Sequence, residues 1–396
     1  MVLRILPVLL LTLVLSDAYL YFRAMHRRHR PRWAKILFFL PNVLLLAAAL
    51  LLTFTESHTP ENMTQMIIFF SLYMLIALPK MLFLVVDFIG LSVSRFFPKA
   101  RKTCAAVSTA AAILLFIVMG CGLSFGPTFL RVRQAAFSSP DLPESFEGYR
   151  IVQFSDLHLT TFRNRRDMVD RVVEQIMSQE PDLIVFTGDL VSTTTHEMDG
   201  FDEVLSRPHA PDGVYSVLGN HDYITYARYL SPQAQAAQRQ ELNARQRAMG
   251  WDLLLNEHRV IRRGADSLVV VGVEDDGKPP FPERGDLKKA LGKVPGYLET
   301  GYEPHTFKVL LSHDPTHWRR KVLPQTDIQL TLSGHTHGMQ FMLFGWSPSQ
   351  YFYPEWKHMY REGDRGLYVS LGVGGALLPF RFGAWPEINV ITLHHK

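Results

Sequence analysis

The chain has 396 residues, of which 47% are hydrophobic and 20% charged, with a net charge of +4. Residues 1–147 hold 14 Lys and Arg against 7 Asp and Glu; residues 148–396 hold 27 against 30. This composition excludes intrinsic disorder. The slightly acidic C-terminal part excludes nucleic acid as a partner held by phosphate attraction.

Four apolar runs come first, at 2–22, 36–54, 66–89 and 104–125, each long enough to cross a bilayer. The first lacks a small-residue cleavage site and three more runs follow it, so it reads as an anchor and not as a signal peptide. Cys104 and Cys121 lie in the last run, 17 positions apart. That is about 25 Å of helical rise, beyond disulfide reach. Neither a disulfide framework nor a cysteine metal site is expected.

The loops set the orientation. Arg23, Arg27, Arg28, Arg30, Arg32 and Lys35 follow run one, and Arg95, Lys99, Arg101 and Lys102 follow run three. Glu56 and Glu61 lie between runs two and three, with no Lys or Arg. Basic loops stay in the cytoplasm. The expectation is a multi-pass protein of the bacterial inner membrane, with both chain ends and everything after residue 130 on the extracytoplasmic side. Run three carries Pro79, Lys80 and Asp87. Here we expect a kinked helix whose charges are paired or face a helix interface.

A segment with Pro140, Pro143 and Gly148 reads as a linker over 131–148. The rest, 149–396, alternates short apolar runs with polar helical stretches, the pattern of an α/β layered domain. Strands are expected at 150–154, 182–186, 214–218, 267–273, 308–311, 328–332, 367–371 and 388–393, and helices near 165–179 and 223–249.

Five of these strands deliver polar groups at their C-terminal ends, where α/β sheets build sites. They run into Asp156 and His158, Gly188-Asp189, Gly219-Asn220-His221-Asp222, His313, and Gly334-His335-Thr336-His337. Asp, Asn and His without Cys give an oxygen–nitrogen site suited to Mn, Fe or Zn. There are ligands enough for two divalent ions. Asp189 is the natural bridge, Asp156, His158 and His337 candidates for one shell, and Asn220, His313 and His335 for the other. Such a pair suits displacement at phosphorus. His221 is then the donor to the phosphate or leaving oxygen, and Asp222 the group that orients it.

The ordered set "DLH", "GD", "GNHD", "SH" and "GHTH" resembles the calcineurin-like metallophosphoesterases, in particular their secreted or membrane-anchored bacterial branch. The resemblance implies a four-layer α/β domain with two facing mixed β-sheets flanked by helices, and a dinuclear hydrolase acting on phosphate mono- or diesters. It implies the same ligands: Asp156, His158, Asp189 and His337 on one ion, Asp189, Asn220, His313 and His335 on the other. One alternative is a pyrophosphatase or phosphodiesterase acting on an acylated sugar nucleotide or a phospholipid. Another is a scaffold without catalysis. Asp275 and Asp276 read as a solvated turn, and Asp314 as a turn cap. The aromatic-rich 339–360 reads as packing, or as a rim toward the bilayer or a lipid-linked substrate.

Overall fold

The computed structural model describes residues 2–26, 31–54, 60–163, 165–279, 281–292, 294, 306–376 and 378–396. Arg27, Arg28, Arg30 and Glu56, used above for orientation, lie outside them. The chain forms two compact units, Met1–Ser124 and Phe125–Lys396.

The first unit is four helices long and apolar enough to cross a membrane: α1 (Val2–Leu20), α2 (Arg32–Phe54), α3 (Pro60–Phe96) and α4 (Arg101–Ser124). Helix α3 runs for 37 residues, well past the expected 66–89, and Pro79 lies inside it without ending it. Its two charges are paired, though not with each other. Lys80 donates to Asp17 Oδ1 at 2.7 Å and to Asn42 Oδ1 at 3.2 Å. Asp87 accepts from Arg23 Nε and Tyr19 Oη, both at 2.7 Å. Asn42 also donates to the Leu13 carbonyl at 3.1 Å. These bonds tie α1, α2 and α3 together where lipid tails give no hydrophobic drive for association. Helices α3 and α4 meet closely at Gly90, where a Cβ would come within 2.7 Å of Cys104 Cβ.

The second unit holds two six-stranded sheets. The first has the order β1 (Arg131–Ser139), β12 (Glu387–His395), β2 (Arg150–Phe154), β3 (Leu183–Phe186), β4 (Val214–Ser216) and β5 (Asp252–Leu253). The second has β10 (His358–Glu362), β11 (Arg365–Val369), β9 (Leu330–Ser333), β8 (Phe307–Leu311), β7 (Asp266–Gly272) and β6 (Glu257–Arg263). Both are mixed: β12 runs antiparallel to β2, and β6 and β10 run antiparallel to their neighbours. The expected linker over 131–148 is corrected here, because its first nine residues form β1 and pair in parallel with β12.

Side-chain alternation along the strands sorts the core into layers. Ile151, Leu183, Val185 and Ile391 of the first sheet pack with Leu268, Val270, Val309 and Leu332 of the second. Val152, Phe154, Ile184 and Val390 point to the other face, under Val169, Val172 and Ile176 of α5 (Arg166–Met177), Val204 and Leu205 of α6 (Asp202–Leu205), and Leu242 of α7 (Pro232–Ala248). Val269, Val271, Leu310 and Val369 meet Leu287 and Leu291 of α8 (Leu287–Leu291), with Trp318 and Val322. The result is helix, sheet, sheet, helix.

Two outcomes are expected. Lys80→Met leaves Asp17 without its cation and lowers detergent-phase stability by about 1–2 kcal/mol. Lys80→Met with Asp17→Leu recovers most of that loss, as thermal melts will read. His317 is fully buried, its Nδ1 on Ser312 Oγ at 2.9 Å, and burial draws its ring down to about 4. Unfolded histidine titrates near 6.5, so between about pH 6.5 and 4 only the unfolded chain takes up this proton. Stability therefore falls as pH falls through that window, and His317→Gln flattens the slope of melting temperature against pH there.

Candidate metal centre

The polar strand ends of both sheets meet at one place. β2, β3 and β4 lead into Asp156 and His158, Asp189, and Asn220–Asp222; β8 and β9 lead into His313, and His335 and His337. The sheets are pinned to each other beside it. Gln153 Nε2 of the first donates to the Ser333 carbonyl of the second at 2.9 Å. The His335 N–H donates to both Asp156 carboxylate oxygens at 3.1 Å.

The backbone is bent to make this possible. Asp156, His158, Asp189, His335 and His337 all have positive φ, between 42° and 73°. Such strain in non-glycine residues persists where the surroundings enforce it. Two glycines admit the carboxylates: a Cβ on Gly219 would stand 2.2 Å from Asp189 Oδ1, and one on Gly334 2.3 Å from Asp156 Oδ2.

Three groups offer ligand atoms within 4.8 Å of one another: Asp156, His158 and His337; His158, Asp189 and His221; Asp189, His313 and His335. Asp189 Oδ2 lies 3.5 Å from His158 Nε2 and 3.2 Å from His313 Nε2, so it stands between the clusters. His337 Nε2 lies 3.2 Å from Asp156 Oδ1. Imidazole nitrogens face each other at 3.2 Å twice, His158 Nε2 with His337 Nε2 and His335 Nδ1 with His313 Nε2. Asn220 Oδ1 is buried without a hydrogen-bond partner, an acceptor left open for a cation. This donor set fits divalent metal binding.

Each ring is held from behind. His313 Nδ1 donates to the Thr187 carbonyl at 2.7 Å, which turns Nε2 to Asp189. His158 Nδ1 meets Ser192 Oγ at 3.1 Å, and His335 Nε2 meets Tyr353 Oη at 2.8 Å. His337 Nδ1 faces the guanidinium of the buried Arg381 at 3.1 Å. Such partners fix ring orientation.

His221 does not take its orientation from Asp222, which corrects the expected role of that carboxylate. His221 Nδ1 donates to the Ser192 carbonyl at 2.6 Å, and its ring stacks on Tyr226 at 4.2 Å. Asp222 instead accepts from the backbone N–H of Asp189, Leu190, Val191 and Gly219, at 2.8 to 3.2 Å. It shapes the turns that present Asp189 and Asn220.

Charge in the site is tightly balanced. Burial opposes ionisation of Asp189 and Asp156, yet His313 and His337 respectively hold their carboxyls well below the usual range. Burial also opposes a charge on His313, and Asp189 outweighs it and raises that ring well above the ordinary value. The carboxylates call for positive charge among them. Burial and the charge of Asp189 push Asp222 up to about 7, against its backbone donors.

The turn after β7 also departs from the expected solvated form. Asp276 is fully buried and paired with Arg320 and Lys321, both at 2.7 Å. Asp275 is 1% exposed, and neither of its carboxylate oxygens has a hydrogen-bond partner. Asp314 accepts from the Thr316 N–H at 2.7 Å, as a turn cap does. Ser192, Tyr226 and Arg381 do not enter the sequence reading, and Tyr353 enters it only as one of the aromatics of 339–360. Ser192 stands three residues past Asp189 and Tyr226 five past His221, so proximity to the motifs is the signal that marks those two.

Residues 149–339 match the family model for calcineurin-like phosphoesterases. Residues 3–127 match one described as "Probable Calcineurin-like phosphoesterase, transmembrane domain". The metallophosphoesterase YkuE of Bacillus subtilis is 30% identical over 67% of this chain and 86% of its own length. The chain belongs to the calcineurin-like phosphoesterase family. It is a membrane protein and a metal-dependent hydrolase of phosphoric ester bonds. The UDP-2,3-diacylglucosamine pyrophosphatase LpxG of Chlamydia trachomatis is 31% identical over 66% of this chain and 88% of its own. A transmembrane protein with a metallophosphoesterase domain from Danio rerio is 31% identical over 64% of this chain, which spans 54% of that protein.

For this phosphoesterase the role of Asp222 is open to test. Asp222→Ala strands four buried N–H groups, each worth about 1–3 kcal/mol when unsatisfied. The expected outcome is a large loss of thermal stability together with lost metal by elemental analysis. Asp222→Asn keeps part of the acceptor capacity and falls between.

Proposed function

We propose that this phosphoesterase works with two divalent cations. Asp156, His158, Asp189 and His337 hold one; Asp189, Asn220, His313 and His335 hold the other. The observation that carries this is the place of Asp189, whose one oxygen lies within 3.5 Å of an imidazole from each cluster. Mn, Fe and Zn suit this donor set. Bound there, the cations polarise the phosphate and acidify a water.

The chain's own residues do the rest. The Ser192 carbonyl fixes His221 with Nδ1 as donor, leaving Nε2 as the nitrogen that serves the phosphate or leaving oxygen. The Asp189 Oδ1 accepts from the His221 N–H at 2.8 Å, which locks the histidine's backbone to the bridging carboxylate. Tyr226 stacks on the ring and accepts from Asn220 Nδ2 at 2.8 Å, coupling the proton donor to the metal ligand beside it.

Expected on a chromogenic phosphodiester, with added manganese and then with chelator, is metal-dependent turnover. Asp189→Asn lowers metal content at both positions and the rate by more than His221→Ala does. His221→Ala keeps its metal and loses about 10²-fold in rate. Wild-type metal content in Asp189→Asn overturns the bridging role.

The basic loops support placing this domain outside the cytoplasm of a bacterial inner membrane. LpxG's substrate, by its name an acylated nucleotide sugar, supports a second reading in which the substrate is lipid-linked. A topology reporter fused at residue 396 separates the two: activity outside the cytoplasm supports the first placement, and activity inside favours the acylated nucleotide.

A further inference from the structure

The seventeen residues 338–354 contain no charge and six aromatic rings. They leave directly from the metal-centre turn at His337 and return to it at Tyr353, whose hydroxyl meets His335 Nε2 at 2.8 Å. Between those anchors Phe341 and Met342 pack inward and most other apolar side chains point outward. Phe344 is fully exposed, Tyr351 72% and Phe352 60%, with Met339, Leu343 and Trp346 near 44%.

The loop holds these groups out on an ordered frame. Leu343 and Trp346 exchange backbone hydrogen bonds at 2.9 and 3.0 Å, Met342 donates to the Phe382 carbonyl at 2.7 Å, and Ser347 Oγ donates to the Gly338 carbonyl at 2.7 Å. A rigid, uncharged, aromatic loop in water marks an interaction surface.

A chain of rings connects it to the N-terminal end of its unit. Trp346 contacts Phe341 at 6.4 Å, Phe341 stacks on Phe382 at 6.0 Å, Phe382 meets Trp385 at 5.9 Å, and Trp385 meets Phe129 at 5.2 Å. Phe129 lies five residues beyond Ser124, the last residue of α4. The exposed loop is thus linked ring to ring with the first residues of its own unit, which in sequence follow directly on the last membrane helix. Trp and Tyr favour the zone between headgroups and acyl chains. Lys357, bonded to the Gly345 carbonyl at 3.1 Å, sets at the base of the loop a cation of the kind that pairs with lipid phosphates.

We propose that residues 339–353, with Phe129, seat in the interfacial layer of the bilayer that the chain's own helices span. This surface holds the mouth of the metal centre at headgroup depth. Given the hydrolytic reading above, the substrates are then phosphoesters of membrane amphiphiles. A second copy or a soluble partner covering the same loop is the opposing outcome.

The test uses the full chain with Cys104 and Cys121 replaced by alanine, in vesicles of phosphatidylcholine and phosphatidylglycerol. A nitroxide is attached at Phe344→Cys, at Phe352→Cys, or at Glu203→Cys, whose side chain is 90% exposed. Collision with oxygen, which partitions into lipid, is compared with collision with a water-soluble nickel chelate. Expected at 344 and 352 is an oxygen-to-nickel ratio several-fold above that at 203. Ratios equal to that at 203 overturn the proposal, as does shielding from both reagents. The measurement reads depth and not turnover, so failure of the hydrolytic reading leaves its result intact, and hydrolysis of a soluble phosphodiester by the same samples reports that reading separately.

Discussion

Everything in the second unit depends on bringing negative carboxylates and imidazole nitrogens to within about 3 Å of one another in a buried space. In a medium of low dielectric that arrangement is unfavourable unless positive charge sits among the groups. The consequences spread outward from it. Gly219 and Gly334 give up their side chains to the carboxylates. Five site residues accept left-handed backbone. Asp222 gathers four N–H groups to hold the turns in that form. A site assembled from the ends of five strands needs two sheets already packed face to face, which is what the shared core around Ile151, Val185, Val270 and Leu332 provides.

The residues that meet in this cluster were legible in the sequence because they sit where strands end. An apolar run followed within three residues by Asp, Asn or His is a local pattern, and each of the five runs carried it. The four strands that sequence reading missed, β1, β5, β6 and β10, are the outer strands of the two sheets. Glu257–Arg263 holds four charges around only Val260 and Ile261, and such charges keep an outer strand from pairing with other chains. Edge position is a property of the assembled sheet and has no signature within seven residues. The same holds for Arg381 behind His337, which comes from a segment with no motif of its own, and Tyr353 behind His335 was visible only as one aromatic among many in 339–360. The buried Asp275 and Asp276 misled the reading in the opposite way. Acidic pairs after a strand are ordinarily solvated, and only the partners Arg320 and Lys321, more than forty residues away, make the second one an interior group.

The membrane unit follows the same logic with weaker forces. Asp17 lay unremarked in the first apolar run, although it completes the contact that makes Lys80 tolerable. A charge inside a hydrophobic segment gains meaning only from its partner on another helix. Here the partners are Asp17 on α1 and Arg23 in the turn of π-helix that continues it, and the pairs Lys80–Asp17 and Arg23–Asp87 fix how that segment and α3 lie against each other. These pairs fall within residues 3–127, which match the family model for a transmembrane domain of such phosphoesterases.

The pairing of β1 with β12 carries an implication for biosynthesis. Arg131, the first residue of β1, aligns with Glu387, 256 positions downstream. On the ribosome the segment that follows the last helix must stay unsatisfied while both sheets are translated. Contacts so distant along the polymer form late and slowly. Until its mate emerges, β1 remains an unpaired outer strand, and Arg131 and Arg133 are the charges that discourage it from pairing with other chains meanwhile.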